Sequence, residues 1–440
     1  YQTLLQQIRN QDTPVFATGV LDVEKNHLVF GMQTHLQRPM VILTYSEVRA
    51  KEILEDMRFF TKSGMYYPAK DILFYSADVH SMEMNRQRFL VVEKLLCGEC
   101  PLIVAAAEAF LDRYPSKEVF SSFLLQLRVG EQRDLTALTQ QLVWMGYERE
   151  ELVESPGQFA LRGGILDIYP LTAEDAVRIE FWDDEIDSIR SMDAQTQRSV
   201  EKMEMVTIFP MRELVYDAAC AKQAADRIEA EYQDALRAME VSGVPDGVQR
   251  LKEQIGENIQ RLRTEHSFAS VGTFLPYFYE DTVSLLAYLP QDTVLCFDEP
   301  QRLAEHMQTL RTEYEESMKN RIAQGFLLPA QSRLLFDYTD ILRQAEGFAQ
   351  VLMAGLTRKT PLFQPKAQVD FAVRSIPSFS KRTDLFCEEL RDLKRQGYRT
   401  VILAGTGSRA KRFAAELTDM DLPAAYLETL EKEIPKGAIW

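Results

Sequence analysis

SPGQFALRGGILDIYPLTAEDAVRIEFWDDEIDSIRSMDAQTQRS, residues 155–199, contains two alternating runs. In the first, Phe159 and Leu161 fall on one face of an extended strand, and Gln158, Ala160 and Arg162 on the other. In the second, Val177, Ile179 and Phe181 share a face, and Arg178, Glu180 and Trp182 share the opposite one. A period of two with one apolar face describes strands of an antiparallel sheet, buried on one side and wet on the other. Asp183-Asp184-Glu185 reads as a tight turn, after which Ile186 and Ile189 resume the apolar pattern. Trp182 breaks the rule, because it puts a large aromatic ring among charges on the wet face. Either it packs beneath a neighbouring loop or it anchors a partner, the use to which interfaces put Trp beside Arg.

The flanking chain supplies other layers. PMVILT (39–44) is a continuous apolar run, as expected of a strand covered on both faces, and Ser46 can cap the helix that follows it. Residues 71–75 and 102–106 read as further strands and 86–96 as a helix. This alternation argues a parallel α/β sheet. Residues 124–128 and 134–145 read as the first strand and the helix of an inserted module that holds the opening stretch. From about 217 to 264 the pattern is helical, with Ile228, Tyr232 and Leu236 on one stripe and Leu251, Ile255 and Ile259 on a second, both expected in a core. Residues 283–286 and 293–297 read as strands and 301–324 as a helix. Prolines at 361, 365 and 377 interrupt a segment without periodicity, read as a linker. Beyond it a helix (383–396), a strand (400–404), a glycine turn, a helix (409–419) and a strand (424–427) begin a small α/β domain.

Bulk composition narrows the function. The 440 residues are 46% apolar and 26% charged, which fits several folded domains and not a disordered chain. A net charge of −16 repels a phosphate backbone, so little DNA binding is expected and protein partners are favoured. Five cysteines make no disulfide framework, and a cytoplasmic protein is the simplest expectation. No apolar run approaches the roughly 20 residues that span a bilayer. Cys97-Gly-Glu-Cys100 is a lone CxxC without further metal ligands near it, and no metal site is expected.

GVLDVEKN (19–26) aligns with the phosphate loop G-x-x-x-x-G-K-[S/T], with Gly19 as the first glycine and Lys25 as its lysine. Glu24 replaces the second glycine, Asn26 replaces the Mg²⁺-binding hydroxyl, and Asp22 adds another carboxylate. Those changes set negative charge where a triphosphate would lie, so a dead nucleotide site is expected. Asp298-Glu299 closes an apolar run where a Walker B element puts its carboxylates, and reads as the relic of the same site.

PGQFALRGGILDIYP (156–170), VRIEFWDDEIDSIRSMD (177–193) and QTQRS (195–199) closely resemble the domain shared by UvrB and the Mfd family of transcription-repair coupling factors. UvrB-like loops carry a glycine where Asp22 stands, and the short interval between loop and module leaves no room for UvrB's damage-probing hairpin. The chain therefore resembles the N-terminal part of the Mfd family. The resemblance implies a degenerate UvrB/helicase-like parallel-sheet domain in two segments (1–113 and 212–360), with an inserted α+β domain containing an antiparallel sheet (114–211). A linker (361–379) and a small α/β domain (380–440) follow. It further implies that the inserted domain recruits UvrA through Arg162, Arg178 and Trp182, relatives often having Phe at the last. The ATP-driven DNA translocase and the contacts to RNA polymerase and DNA are implied for downstream modules, so no cofactor and no enzymatic activity is expected here. The rival is an active helicase-type ATPase of the UvrB class, which lacks its phosphate loop.

Overall fold

The structure is a computed structural model, and it describes residues 1–440 except 71–81, 266, 269, 357–361, 374, 375, 377, 378, 380, 381 and 429–433. The strand expected at 71–75 lies outside the described residues. Among the described residues, four strands precede residue 113: β1 (Val15–Thr18), β2 (Met40–Thr44), β3 (Gly64–Tyr67) and β4 (Leu102–Ala106). A second group forms the inserted module: β5 (Leu125–Arg128), β6 (Glu148–Arg149), β7 (Gln158–Arg162), β8 (Ile165–Ile168), β9 (Ala176–Trp182), β10 (Glu185–Asp193), β11 (Arg198–Met203) and β12 (Met205–Ile208). The chain then returns to the first sheet with β13 (Val294–Asp298), β14 (Ala349–Ala354) and β15 (Ala367–Asp370).

That first sheet is seven-stranded, ordered β15-β1-β14-β13-β2-β4-β3, and parallel throughout. Its inner strands β2, β4, β13 and β14 are buried at every position, which is why they read as unbroken apolar runs. Helices cover it, among them Asp22–Leu36 and Glu47–Met57, and the Ser46 hydroxyl accepts the Arg49 amide at 3.2 Å as expected of a cap.

Two expectations fail here. Residues 283–286 form no strand: Val283 makes an isolated bridge to Tyr114, and Leu285–Tyr288 is a 3-10 turn. The Ser284 hydroxyl accepts the Leu286 amide, a local bond that draws the backbone out of extension. Within the expected linker, Ala367–Asp370 is an edge strand paired in parallel with β1. Its alternating half-buried and exposed residues carry no apolar run, and Pro365 before it is tolerated because an edge strand can begin beside a proline.

The helical segment after the module packs as expected. Ala218–Ser242 is capped by Asp217, and its stripe of Ile228, Tyr232 and Leu236 joins Leu251, Ile255 and Ile259 in one core. Two compact units result: residues 1–54 with 63–371, and residues 55–62 with 372–440. In the second, helices Thr383–Arg395 and Gly407–Asp419 close over Cys387, Leu390, Leu417, Leu422 and Ile439. The strands expected at 400–404 and 424–427 are single bridges, Thr400 and Ala424 each pairing with Ile439. A bridge to one residue fixes no ladder, so Val401, Leu403 and Leu427 stay exposed.

The module is tied to the body where the chain enters and leaves it. Arg88, fully buried on helix Met82–Leu96, donates to Asp112 (2.6 Å), to Glu213 (2.7 Å) and to the Pro68 carbonyl (2.6 Å). Lys70 and the Tyr114 hydroxyl complete the set around Glu213. Burial pushes the Glu213 carboxyl up, but Arg88 and Lys70 outweigh it and hold the group far below the ordinary carboxylate range.

Candidate docking face and the phosphate-loop region

The module's main sheet is six-stranded, ordered β11-β10-β9-β8-β7-β6, antiparallel except at the β6–β7 pair. One face carries Phe159, Leu166, Ile168, Val177, Ile179 and Ile189, which pack on helix Leu135–Trp144 and the antiparallel β5–β12 pair. The opposite face carries the three residues expected to contact a partner. Register brings them together: Arg162 pairs with Ile165, Ile165 with Glu180, and Asp167 with Arg178. Two-residue turns at Gly163-Gly164 and Asp183-Asp184 set Arg162 and Trp182 at the same end of the sheet. Gly163 takes φ +62°, the left-handed region that such a turn requires and that glycine enters without strain.

Trp182 is 82% exposed, so it does not pack beneath a loop. Arg162 is 43% exposed. Arg178 is only 15% exposed, although alternation puts it on the wet face. Its guanidinium grips Asp167 through two bonds, 2.7 and 2.9 Å, and donates to the Gln197 carbonyl at 3.2 Å. That bond to Asp167 raises the Arg178 pKa above its ordinary value. Asp167, fully buried, also accepts Arg162 at 2.6 Å. Sequence reasoning missed Asp167. Its signal is the alternation in Ile165-Leu166-Asp167-Ile168, which sets a lone carboxylate on the face that carries both arginines. The arrangement can present a cation and an indole side by side, the cation held in place from beneath. Glu180 lies between Arg178 and Trp182 on β9 and accepts from Ser188 at 2.7 Å.

Residues 19–26 fold as a strand-to-helix turn that leaves the end of β1. Gly19 takes φ +73°, and a side chain there would strike the Phe371 carbonyl, whose chain continues β15. Phe371 also donates its amide to the Thr18 carbonyl at 2.8 Å. The Lys25 ammonium is 2% exposed and contacts Glu299 at 2.6 Å, Asp298 at 2.7 Å and Asp22 at 3.2 Å. Burial lowers the Lys25 pKa, yet the two carboxylates of β13's end outweigh it and the net shift is upward. Asp298 takes further bonds from Thr44 (2.9 Å) and Arg49 (3.4 Å), and Glu299 accepts the Gly355 amide at 3.0 Å. Asp22, Asp298 and Glu299 lie close enough to chelate a cation, but the ammonium of Lys25 is already bonded to all three. Asn26 is buried, and Glu24 is half-buried and not among the carboxylates that Lys25 reaches.

No helix among the described residues is long and apolar enough to cross a membrane. Residues 125–214 match the model of the UvrB interaction domain. A transcription-repair-coupling factor of Bacillus subtilis (strain 168) is 30% identical over 413 residues, 93% of this chain and 34% of the relative. One of Staphylococcus epidermidis (strain ATCC 12228 / FDA PCI 1200) is 25% identical over 99% of this chain, and one of Staphylococcus aureus (strain bovine RF122 / ET3-1) 26% over 96%. In each case the chain spans about a third of the relative's length. Residues 125–214 thus match the UvrB interaction domain, in a chain that is similar over nearly its whole length to about a third of the length of the transcription-repair-coupling factors.

Proposed function

We propose that this chain is a protein-docking module that recruits UvrA through the exposed face of β7, β8 and β9, with Trp182 as the aromatic anchor and Arg162 as the free cation. Arg178 acts beside them as a charged strut, spending its guanidinium on Asp167 and on the Gln197 carbonyl. The observation that carries this reading is Trp182, an indole 82% exposed at the end of β9, on the sheet face that also carries Arg162 and Arg178. Exposing a ring of that size gains nothing for folding, whereas a partner that buries it gains one of the strongest single contacts known at interfaces.

The nucleotide site of the parallel sheet is inactive in this reading. Phosphate would have to displace Lys25 from Asp298 and Glu299, and it would meet Asp22 at the entrance. The UvrB-class ATPase reading is therefore disfavoured. In the longer protein to which the resemblance points, ATP-driven translocation, displacement of stalled RNA polymerase and DNA contacts belong to other modules, and none is assigned here.

Binding of the whole chain to purified UvrA, read by calorimetry, is the test. Saturable complex formation without ATP hydrolysis by the chain is expected. Steady hydrolysis of Mg-ATP by the chain, or no complex at tens of micromolar UvrA, on the order of the weakest specific protein pairs, would sink the proposal.

A further inference from the structure

Away from the module, a cleft of about 510 Å³ opens where helix Ala218–Ser242 meets residues 275–282 and the turn Pro329–Arg333. Arg113, Arg227 and Arg333 line it, with Glu231 and Glu280 as the only carboxylates among its lining residues. Both carboxylates are engaged. Glu231 accepts from the Tyr277 hydroxyl and from the Ala330 amide at 3.0 Å, and Glu280 pairs with Arg227 at 2.8 Å. Arg113 and Arg333 make no ion pair among the described residues. Arg113 donates to Thr282 (2.9 Å) and to the Leu335 carbonyl (3.3 Å), and its guanidinium lies 3.9 Å from the centre of the Phe336 ring. Burial pulls the Arg113 pKa below the ordinary arginine value; Asp340 opposes that, and the like charge of Arg333 adds to it. Arg113 and Arg333 repel one another, and Asp340 and Asp337, which offset that charge, form no salt bridge with either among the described residues, so a bound anion would relieve the repulsion.

We propose that this cleft binds a small organic phosphate of nucleotide size, its phosphate bridging Arg113 and Arg333 and its ring resting on Leu275, Pro276 and Tyr279. Planar guanidinium forks match phosphate oxygens in pairs, and two of them suit a dianion. The volume lies in the range of small-molecule sites. The chain's net charge of −16 argues against a polyanion such as nucleic acid, because long-range repulsion grows with the ligand's length.

Calorimetry of the full chain with ADP and separately with pyrophosphate, both without Mg²⁺, tests the site. Saturable ADP binding is expected with Kd below about 1 mM. Arg333→Ala removes an exposed side chain that makes no hydrogen bond among the described residues, and Arg113→Lys keeps the charge but loses the fork; each should weaken binding at least about tenfold. Pyrophosphate binding with the same dependence means that phosphate alone suffices, and binding of ADP alone means that the ring is read as well; both support the proposal. Three results would overturn it: no binding of either ligand at about 5 mM, binding indifferent to both substitutions, or an oligonucleotide that outcompetes ADP with the same arginine dependence.

Discussion

Asp167 decides what the docking face can do. It is a buried carboxylate between two arginines, and it turns Arg178 into part of the scaffold while leaving Arg162 half free. Removing one member of a buried pair leaves the other uncompensated, so Asp167→Ala should cost about 3 kcal/mol of stability, read as a lower midpoint in urea. Arg162→Ala and Trp182→Ala should each stay within about 0.5 kcal/mol, because exposed side chains contribute little to folding. An equal loss in all three would mean that the face is structural. The side of the sheet that Trp182 occupies was legible in the sequence from alternation, but its exposure was not, because a covering loop was equally compatible with the pattern. Asp167's role was not, because it depends on a cross-strand register with Arg178 and on Arg162 one strand away, and neither spacing announces it.

Among the elements, strands buried on both faces declared themselves as apolar runs at 39–44, 102–106 and 293–297, and the structure has them as β2, β4 and β13. The strand β15 did not, since an edge strand needs no apolar face and its only mark is a backbone ladder to β1. The same limit applied to residues 19–26. The missing glycine and hydroxyl were visible, but not that β13's carboxylates close on Lys25. Lys25→Met should therefore destabilise by about 3 kcal/mol, leaving Asp298 with only Thr44 and Arg49, and differential scanning calorimetry would register it. A variant as stable as the wild type would mean that the network is idle.

The joint at Glu213 gives a dependence on pH. The folded pKa lies below the ordinary value of 4.5, so the contribution of this group is complete above that value. It is lost as pH falls from there toward the folded value, since the unfolded state then binds the proton that the folded state refuses. Unfolding at pH 7 and at pH 5 should show no difference due to Glu213, with stability falling below about 4.5. In Glu213→Gln that acid limb should be shallower and stability at pH 7 lower. Parallel curves for the two proteins would contradict the assignment.

At the scale of the whole molecule, one parallel sheet carries the network of Lys25, Asp298 and Glu299, and a mostly antiparallel sheet inserted into its chain carries the face proposed to dock UvrA. The acidic surface that disfavours nucleic acid leaves protein contact as the main work proposed for it. Affinity for UvrA, measured on the wild type, Trp182→Ala and Arg162→Ala with thermal midpoints taken on the same samples, tests that claim most directly. Each substitution should cost about 2 kcal/mol of binding, a loss of about 30-fold, while the midpoints stay together. Undiminished affinity in both variants, or a loss that tracks a falling midpoint, would contradict it.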